Sequence, residues 1–162
     1  MDRIAHSFGP VIDENSEILI LGSFPSVKSR QDGFYYMHPR NRFWEIMKRL
    51  YGCDFVHATI EERTRLLKNH KVAIYDVFES CDIEGSSDSS IRRGVKSDIG
   101  KLLGQSKIKH IYLNGKTASA YFHRFHPSLR EMAVTLPSTS PANAAMNLDT
   151  LMEHWKIIIG ER

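Results

Sequence analysis

Polar residues of chemically useful types fall just behind runs of apolar ones in this chain. Gly22-Ser23-Phe24-Pro25-Ser26 follows Ile18-Leu19-Ile20-Leu21, Asp76 closes Val72-Ala73-Ile74-Tyr75, Asn114-Gly115-Lys116 follows Ile111-Tyr112-Leu113, and Pro137-Ser138-Thr139-Ser140-Pro141-Ala142-Asn143 follows Leu136. If the apolar runs are parallel strands, the polar groups gather on one rim, because ligands of open α/β sheets bind outside the carboxyl ends of the strands. The sequence holds eight histidines, but none shows metal-ligand spacing: His123 and His126 stand three apart with no third ligand in view. Neither Ser23 nor Ser26 sits in a Gly-x-Ser-x-Gly elbow, so a Ser-His-Asp triad is not expected. What remains is chemistry done by hydrogen bonds, anion binding and flat rings.

Each candidate has a structural alternative. Asn41 precedes Phe43-Trp44-Glu45 at a helix start, where it either caps the helix or uses its donor and acceptor to hold a water or a base edge. A carboxylate such as Asp76 at the end of a buried strand needs a partner or must stay protonated, which marks it as a site candidate. Tyr35 and Tyr36 could stack on an extruded base or simply pack in the core. The hydroxyls and backbone N–H groups of Leu136 to Asn143 suit a phosphate if a helix starts there, and Ser140 or Asn143 could equally be that helix's cap.

Four apolar runs alternate with helical patterns, as in stacked βαβ units: Glu17 to Ser23, Lys71 to Val77, Ile108 to Asn114 and Arg130 to Leu136. Helical spacing covers Asn41 to Tyr51, Thr59 to Asn69, Lys96 to Leu103, Lys116 to Phe125 and about Ala144 to Ile159. The expected fold is therefore α/β, a three-layer α/β/α sandwich around a central, mainly parallel four-stranded sheet, with all 162 residues in one domain. The stretch Glu84 to Ser90 reads as a loop, either plain surface or functional.

A net charge of +3, with 22 basic against 19 acidic residues, permits a polyanionic partner but requires any basic contact to be local. Two cysteines, Cys53 and Cys81, provide neither a disulfide framework nor an iron–sulfur site. No apolar run is long enough for a membrane span and no secretory signal opens the chain, so a cytoplasmic location and no membrane partner are expected.

Taken together, these blocks resemble the uracil-DNA glycosylase superfamily over nearly the whole chain. Gly22 to Ser26 looks like the first motif of that superfamily. Phe34 to Trp44 (Phe-Tyr-Tyr-Met-His-Pro-Arg-Asn-Arg-Phe-Trp) is similar to the mismatch-specific uracil/thymine glycosylases. Val72 to Val77 looks like the base-recognition strand, Tyr112 to Ala118 like the third strand and its turn, and Leu136 to Asn143 like the DNA-intercalating second motif. Two departures matter. Phe24 stands where relatives place the Asp or Asn that holds the attacking water, and Leu136 replaces the His or Asn that opens the second motif.

That combination looks most like the sixth family, the hypoxanthine-DNA (deoxyinosine) glycosylases. The resemblance implies a hydrolase of N-glycosyl bonds that acts on DNA containing deaminated bases; no lysine is placed for Schiff-base attack, so a monofunctional enzyme is expected, as a monomer and without a cofactor. It assigns catalysis to Asn41, contact with the base to Phe24, Tyr35, Tyr36 and Asp76, and contact with the DNA backbone to Ser23, Ser26, Lys116, Ser138, Ser140 and Asn143. The rivals are a mismatch-type uracil glycosylase, a superfamily remnant that binds lesions without cutting them, and an unrelated small-molecule hydrolase.

Overall fold

The computed structural model describes residues 2–83 and 92–160; Glu84 to Ser90 lies outside the described residues. Four strands, β2 (Ile18–Gly22), β3 (Val72–Asp76), β6 (His110–Asn114) and β7 (Ala133–Leu136), form a wholly parallel sheet in the order β3-β2-β6-β7. Its central strand β2 is buried along its whole length. Period-two alternation divides the strand between two cores, because successive side chains leave a strand on opposite faces. Ile18 and Ile20 enter a cluster with Val72, Ile74 and Tyr112, and Leu19 and Leu21 enter another with Ala73, Ile111 and Leu113.

Helices cover both faces, which gives the expected three layers. The first cluster is closed by α2 (Phe43–Tyr51) through Phe43, Trp44, Ile46 and Met47, by α3 (Ile60–Asn69) through Leu67, and by α6 (Leu148–Trp155) and α7 (Ile157–Gly160) through Leu151, Trp155 and Ile158. The second is closed by α4 (Ile99–Gly104) through Ile99 and Leu102 and by α5 (Lys116–Phe125) through Ala118 and Phe122. Thr59 and Glu62 form a capping box that fixes the start of α3.

The sequence patterns leave out a second sheet. Strands β1 (Asp2–Ala5), β4 (Phe78–Ile83) and β5 (Arg92–Lys96) pair antiparallel in the order β1-β4-β5. β4 starts two residues after β3 ends, so the chain passes from one sheet to the other across Val77 with no turn to mark it. In β5, Gly94 lies so close to Phe78 that a Cβ there would sit 2.1 Å from the ring. A short helix α1 (Val27–Asp32), capped by Ser26, also escaped the periodicity, being under two turns long.

Some boundaries differ from expectation. Lys96 belongs to β5 rather than to a helix, and Asp98 accepts from the Lys101 N–H at 3.0 Å to start α4. A 3-10 helix over Pro127–Met132 delays the last strand to Ala133. The final helix begins at Leu148, not Ala144, because Asn147 accepts from the Thr150 N–H at 2.9 Å and caps it there. Neither Ser140 nor Asn143 caps that helix, and the Leu136 to Asn143 segment is a turn-rich loop without a helix mouth behind it.

Candidate active site

The strand order reverses beside β2, and a cleft of about 570 Å³ opens at that point, above the carboxyl ends of the parallel strands. Its lining draws on each of the four rim segments: Gly22 to Ser26, Asp76, Asn114, and Ser138 to Ala142, with Tyr35, Tyr36, His38 and Asn41 from the segment before α2. Thus Asn41, Phe24, Tyr35, Tyr36, Asp76, Ser23, Ser26, Ser138 and Ser140 are brought together as candidates. Lys116 and Asn143 are not among the lining residues. Lys116 is exposed on the first turn of α5, where its neighbour Thr117 faces the cleft instead. Asn143 spends its amide on the Ser138 carbonyl at 3.0 Å and so stiffens the loop from within.

Asn41 has both roles open to it at the start. Its Oδ1 accepts from the Phe43 N–H at 2.9 Å, which ties up one free donor at the start of α2, while the same side chain lines the cleft. The bond also settles the amide's orientation, since the oxygen end must face the N–H. A carbonyl oxygen has two lone pairs, so one is left to accept from a water. The backbone below is fixed by the Asn41 N–H donating to the His38 carbonyl at 2.9 Å and by the Arg40 N–H donating to His38 Nδ1 at 3.1 Å.

Arg42 is the residue that fastens this segment to the serine-rich loop. Its guanidinium donates to the carbonyls of Ser140 (2.8 Å), Asn143 (3.1 Å), Thr139 (3.4 Å) and Met146, and its backbone N–H donates to Thr139 O at 3.1 Å. From the other side Asn114 and Thr139 lock reciprocally, amide to hydroxyl and backbone N–H to amide oxygen, both at 3.1 Å. Trp155 Nε1 adds a bond to the Pro137 carbonyl at 2.9 Å. Ser138 Oγ accepts from the Ser140 N–H and Ser140 Oγ from the Ala142 N–H, both at 3.1 Å, which leaves each hydroxyl hydrogen available as a donor to a phosphate.

At the floor, Asp76 is buried but not alone. His6 Nε2 lies 2.8 Å from Asp76 Oδ2, and both side chains are at most 5% exposed. The other carboxylate oxygen is next to Gly22, where a Cβ would stand 2.6 Å from Asp76 Oδ1 and 3.1 Å from the Tyr36 hydroxyl. Only a glycine leaves the space for those two groups at the cleft.

The aromatic residues divide. Tyr35 is 2% exposed, donates its hydroxyl to the Gly9 carbonyl and packs against His6 and Phe8, so it is a wall of the cleft more than a free stacking platform. Burial, and then the nearby Asp76 charge, push its phenol far above the ordinary value, so it stays neutral. Tyr36 adopts φ 54° and stacks on Phe43 with ring centroids 4.2 Å apart. Phe24 is 9% exposed and sits edge-on to His6, 6.1 Å between centroids, with its other contacts on Phe78 and Cys81.

Comparisons with known proteins give the family and the fold. A family model described as the uracil DNA glycosylase superfamily matches residues 10–158. The chain belongs to the uracil DNA glycosylase superfamily. Two curated relatives are each named hypoxanthine DNA glycosylase: one from Methanosarcina acetivorans, 37% identical over 86% of this chain and 89% of its own length, and one from Methanosarcina barkeri, 36% identical over 84% and 86%. A solution NMR structure of a candidate uracil DNA glycosylase from Methanosarcina acetivorans is 34% identical, covers 93% of both chains and superimposes with a TM-score of 0.79. Membership makes DNA the substrate class, and among the described residues no helix is long and apolar enough to cross a membrane.

Within this superfamily scaffold, sequence reasoning missed three contributors. His6 stands seventy positions from its partner, directly after a strand, β1, that the patterns did not reveal. Arg42 and Thr139 were legible only as members of quoted motifs. A guanidinium directly after a candidate catalytic residue, at a helix start, was the available signal for Arg42.

Proposed function

We propose that this protein is a monofunctional DNA glycosylase that hydrolyses the N-glycosidic bond of deoxyinosine and releases hypoxanthine, leaving an abasic site. The observation that carries the proposal is the convergence of Asn41, Asp76 and the Ser138–Ser140 loop on one cleft at the strand-order reversal. The names of the two Methanosarcina relatives support the choice of base.

The chemistry follows from these groups. The nucleotide leaves the stack and enters the cleft, at reduced cost because a deaminated base pairs poorly. Ser138 and Ser140 hold flanking phosphates through their free hydroxyl hydrogens. As the C1′–N9 bond breaks, its electron pair goes to the base and an oxocarbenium-like sugar develops. Asn41 Oδ1 accepts one hydrogen of a water and so points the water's lone pair at C1′. A neutral amide is a weak base, yet a cationic sugar needs little help from the nucleophile. The water's surplus proton is lost to solvent and the departing base is protonated. Among the described residues no lysine lines the cleft, which favours water over an amine as the nucleophile.

Asp76 accepts the N1–H of hypoxanthine, a hydrogen that adenine lacks. A buried acceptor facing a bare N1 is the kind of mismatch that costs most. The enzyme acts as a single-domain, cofactor-free monomer in the cytoplasm. The test is incubation with oligonucleotides bearing one deoxyinosine, deoxyuridine or deoxyxanthosine, followed by alkali and by chromatography of released base. Free hypoxanthine with strand breakage at deoxyinosine is expected. Release of uracil alone would move the assignment to the mismatch uracil glycosylases, and retained lesion binding without release would leave a non-catalytic binding module.

A further inference from the structure

We infer that His6 is a positioning residue that holds Asp76 as a pure hydrogen-bond acceptor, so that the cleft selects bases whose ring nitrogen carries a hydrogen. The inference rests on the glycosylase function proposed above and adds the residue and the rule by which the base would be chosen.

The geometry leaves His6 one tautomer that fits. Nε2 meets Asp76 Oδ2 at 2.8 Å, whereas Nδ1 is buried and has no hydrogen-bond partner among the described residues. Around the ring stand Phe8, Phe24, Tyr35 and Tyr75, and the Tyr35 hydroxyl is already committed to the Gly9 carbonyl. A hydrogen on Nδ1 would be a buried donor with nowhere to donate, which proteins avoid more strictly than an unused acceptor. The hydrogen therefore belongs on Nε2, where it is donated to Oδ2. A carboxyl that receives a hydrogen bond on one oxygen is held in the form that accepts on both. Its second oxygen, Oδ1, is the one beside Gly22 at the cleft.

Deamination gives this arrangement its use. Conversion of adenine to hypoxanthine turns N1 from an acceptor into an N–H, and conversion of cytosine to uracil does the same at N3. An acceptor with no hydrogen of its own matches the deaminated base and meets the parent lone pair to lone pair. Guanine also bears N1–H, and its exclusion falls to the flipping step, where its pair with cytosine is intact.

His6→Phe keeps an aromatic ring among the same neighbours and removes the donor; His6→Gln keeps an amide donor near the Nε2 position and removes the ring. The readout is the ratio of single-turnover excision rates for deoxyinosine and for deoxynebularine, a purine with a bare N1. With its donor lost, the Asp76 carboxylate is no longer held with Oδ1 toward the base, so the ratio should fall about 10- to 100-fold in His6→Phe, the range of one hydrogen bond to a charged group. It should recover substantially in His6→Gln. An unchanged ratio in His6→Phe, with both rates lowered equally, would overturn the inference and leave His6 as packing alone. If wild type excises neither base, the function proposed above fails on its own. The tautomer is then read in the free protein from the imidazole 15N shifts: a protonated Nε2 with a bare Nδ1 upholds the arrangement, and a protonated Nδ1 overturns it. The same spectrum decides the matter if His6→Phe does not fold.

Discussion

Arg42→Met should loosen the serine-rich loop while leaving the sheet intact. The Arg42 guanidinium makes two well-formed bonds, to Ser140 O at 2.8 Å and Asn143 O at 3.1 Å, with a longer one to Thr139 O and a further one to Met146 O. At roughly 1 to 1.5 kcal/mol net per bond, the clamp is worth about 2–4 kcal/mol, and some of this returns because the freed carbonyls can reach water. A net loss of about 2 kcal/mol would fall on DNA binding, since an unfastened loop must be ordered again on each encounter, and corresponds to about 30-fold in Kd. The loop stays tethered by Asn114, Thr139 and Trp155, so the melting temperature should drop only a few degrees. Fluorescence anisotropy with a labelled deoxyinosine duplex measures the affinity at several salt concentrations. Arg42→Lys should fail nearly as badly, because a lysine ammonium cannot reach four carbonyls in a fixed fork. The salt slope should not change, because Arg42 is assigned to carbonyls and not to phosphate. Rescue by lysine, or a slope lowered by about one in Arg42→Met, would mean that the charge contacts the DNA directly, and would refute the clamp.

Other substitutions test other parts of the site. Gly22→Ala places a methyl 2.6 Å from Asp76 Oδ1, so the carboxylate must move off its bond with His6; single-turnover excision should fall by at least about tenfold, with a smaller change in DNA affinity than Arg42→Met shows. Burial, and then Lys96, lower the His126 pKa below the ordinary histidine value. The unfolded chain then binds a proton before the folded one does, so stability contributed by a neutral His126 is present above pH about 6.5 and is lost as pH falls through the lowered folded value. Thermal melts from pH 7 to pH 5 should therefore decline less steeply in His126→Phe than in wild type; a steeper decline would contradict the sign.

The parallel sheet was legible because strands buried on both faces leave continuous apolar runs, as Ile18 to Leu21 and Ile111 to Leu113 do. The antiparallel sheet was not. Its outer strands, Asp-Arg-Ile-Ala and Arg-Arg-Gly-Val-Lys, offer neither an apolar run nor a clean alternation, and their pairing is set by β4 rather than by anything in their own sequence. The same blindness hid His6, whose meaning comes from Asp76 and from no neighbour in sequence. Asp76 stood out as a carboxylate that closes an apolar run, and Asn41 by the motif in which it stands; both line the cleft. Which residue of the first turn of α5 faces the cleft was not legible, because that depends on the helix's rotation about its axis; Thr117 has that place, and Lys116 is exposed beside it.

The central claim is that Asn41 directs water at the sugar of deoxyinosine in this cleft. Its most direct test is single-turnover excision of hypoxanthine from one end-labelled duplex by wild type, Asn41→Ala and Asn41→Asp, with each variant's affinity for the same duplex measured alongside. Loss of the amide should lower the excision rate by about 100-fold or more while affinity changes by less than about tenfold, and the aspartate, which can still accept from both Phe43 N–H and water, should retain measurable turnover. Excision by Asn41→Ala at the wild-type rate would contradict the account, since the water would then be held by some other group.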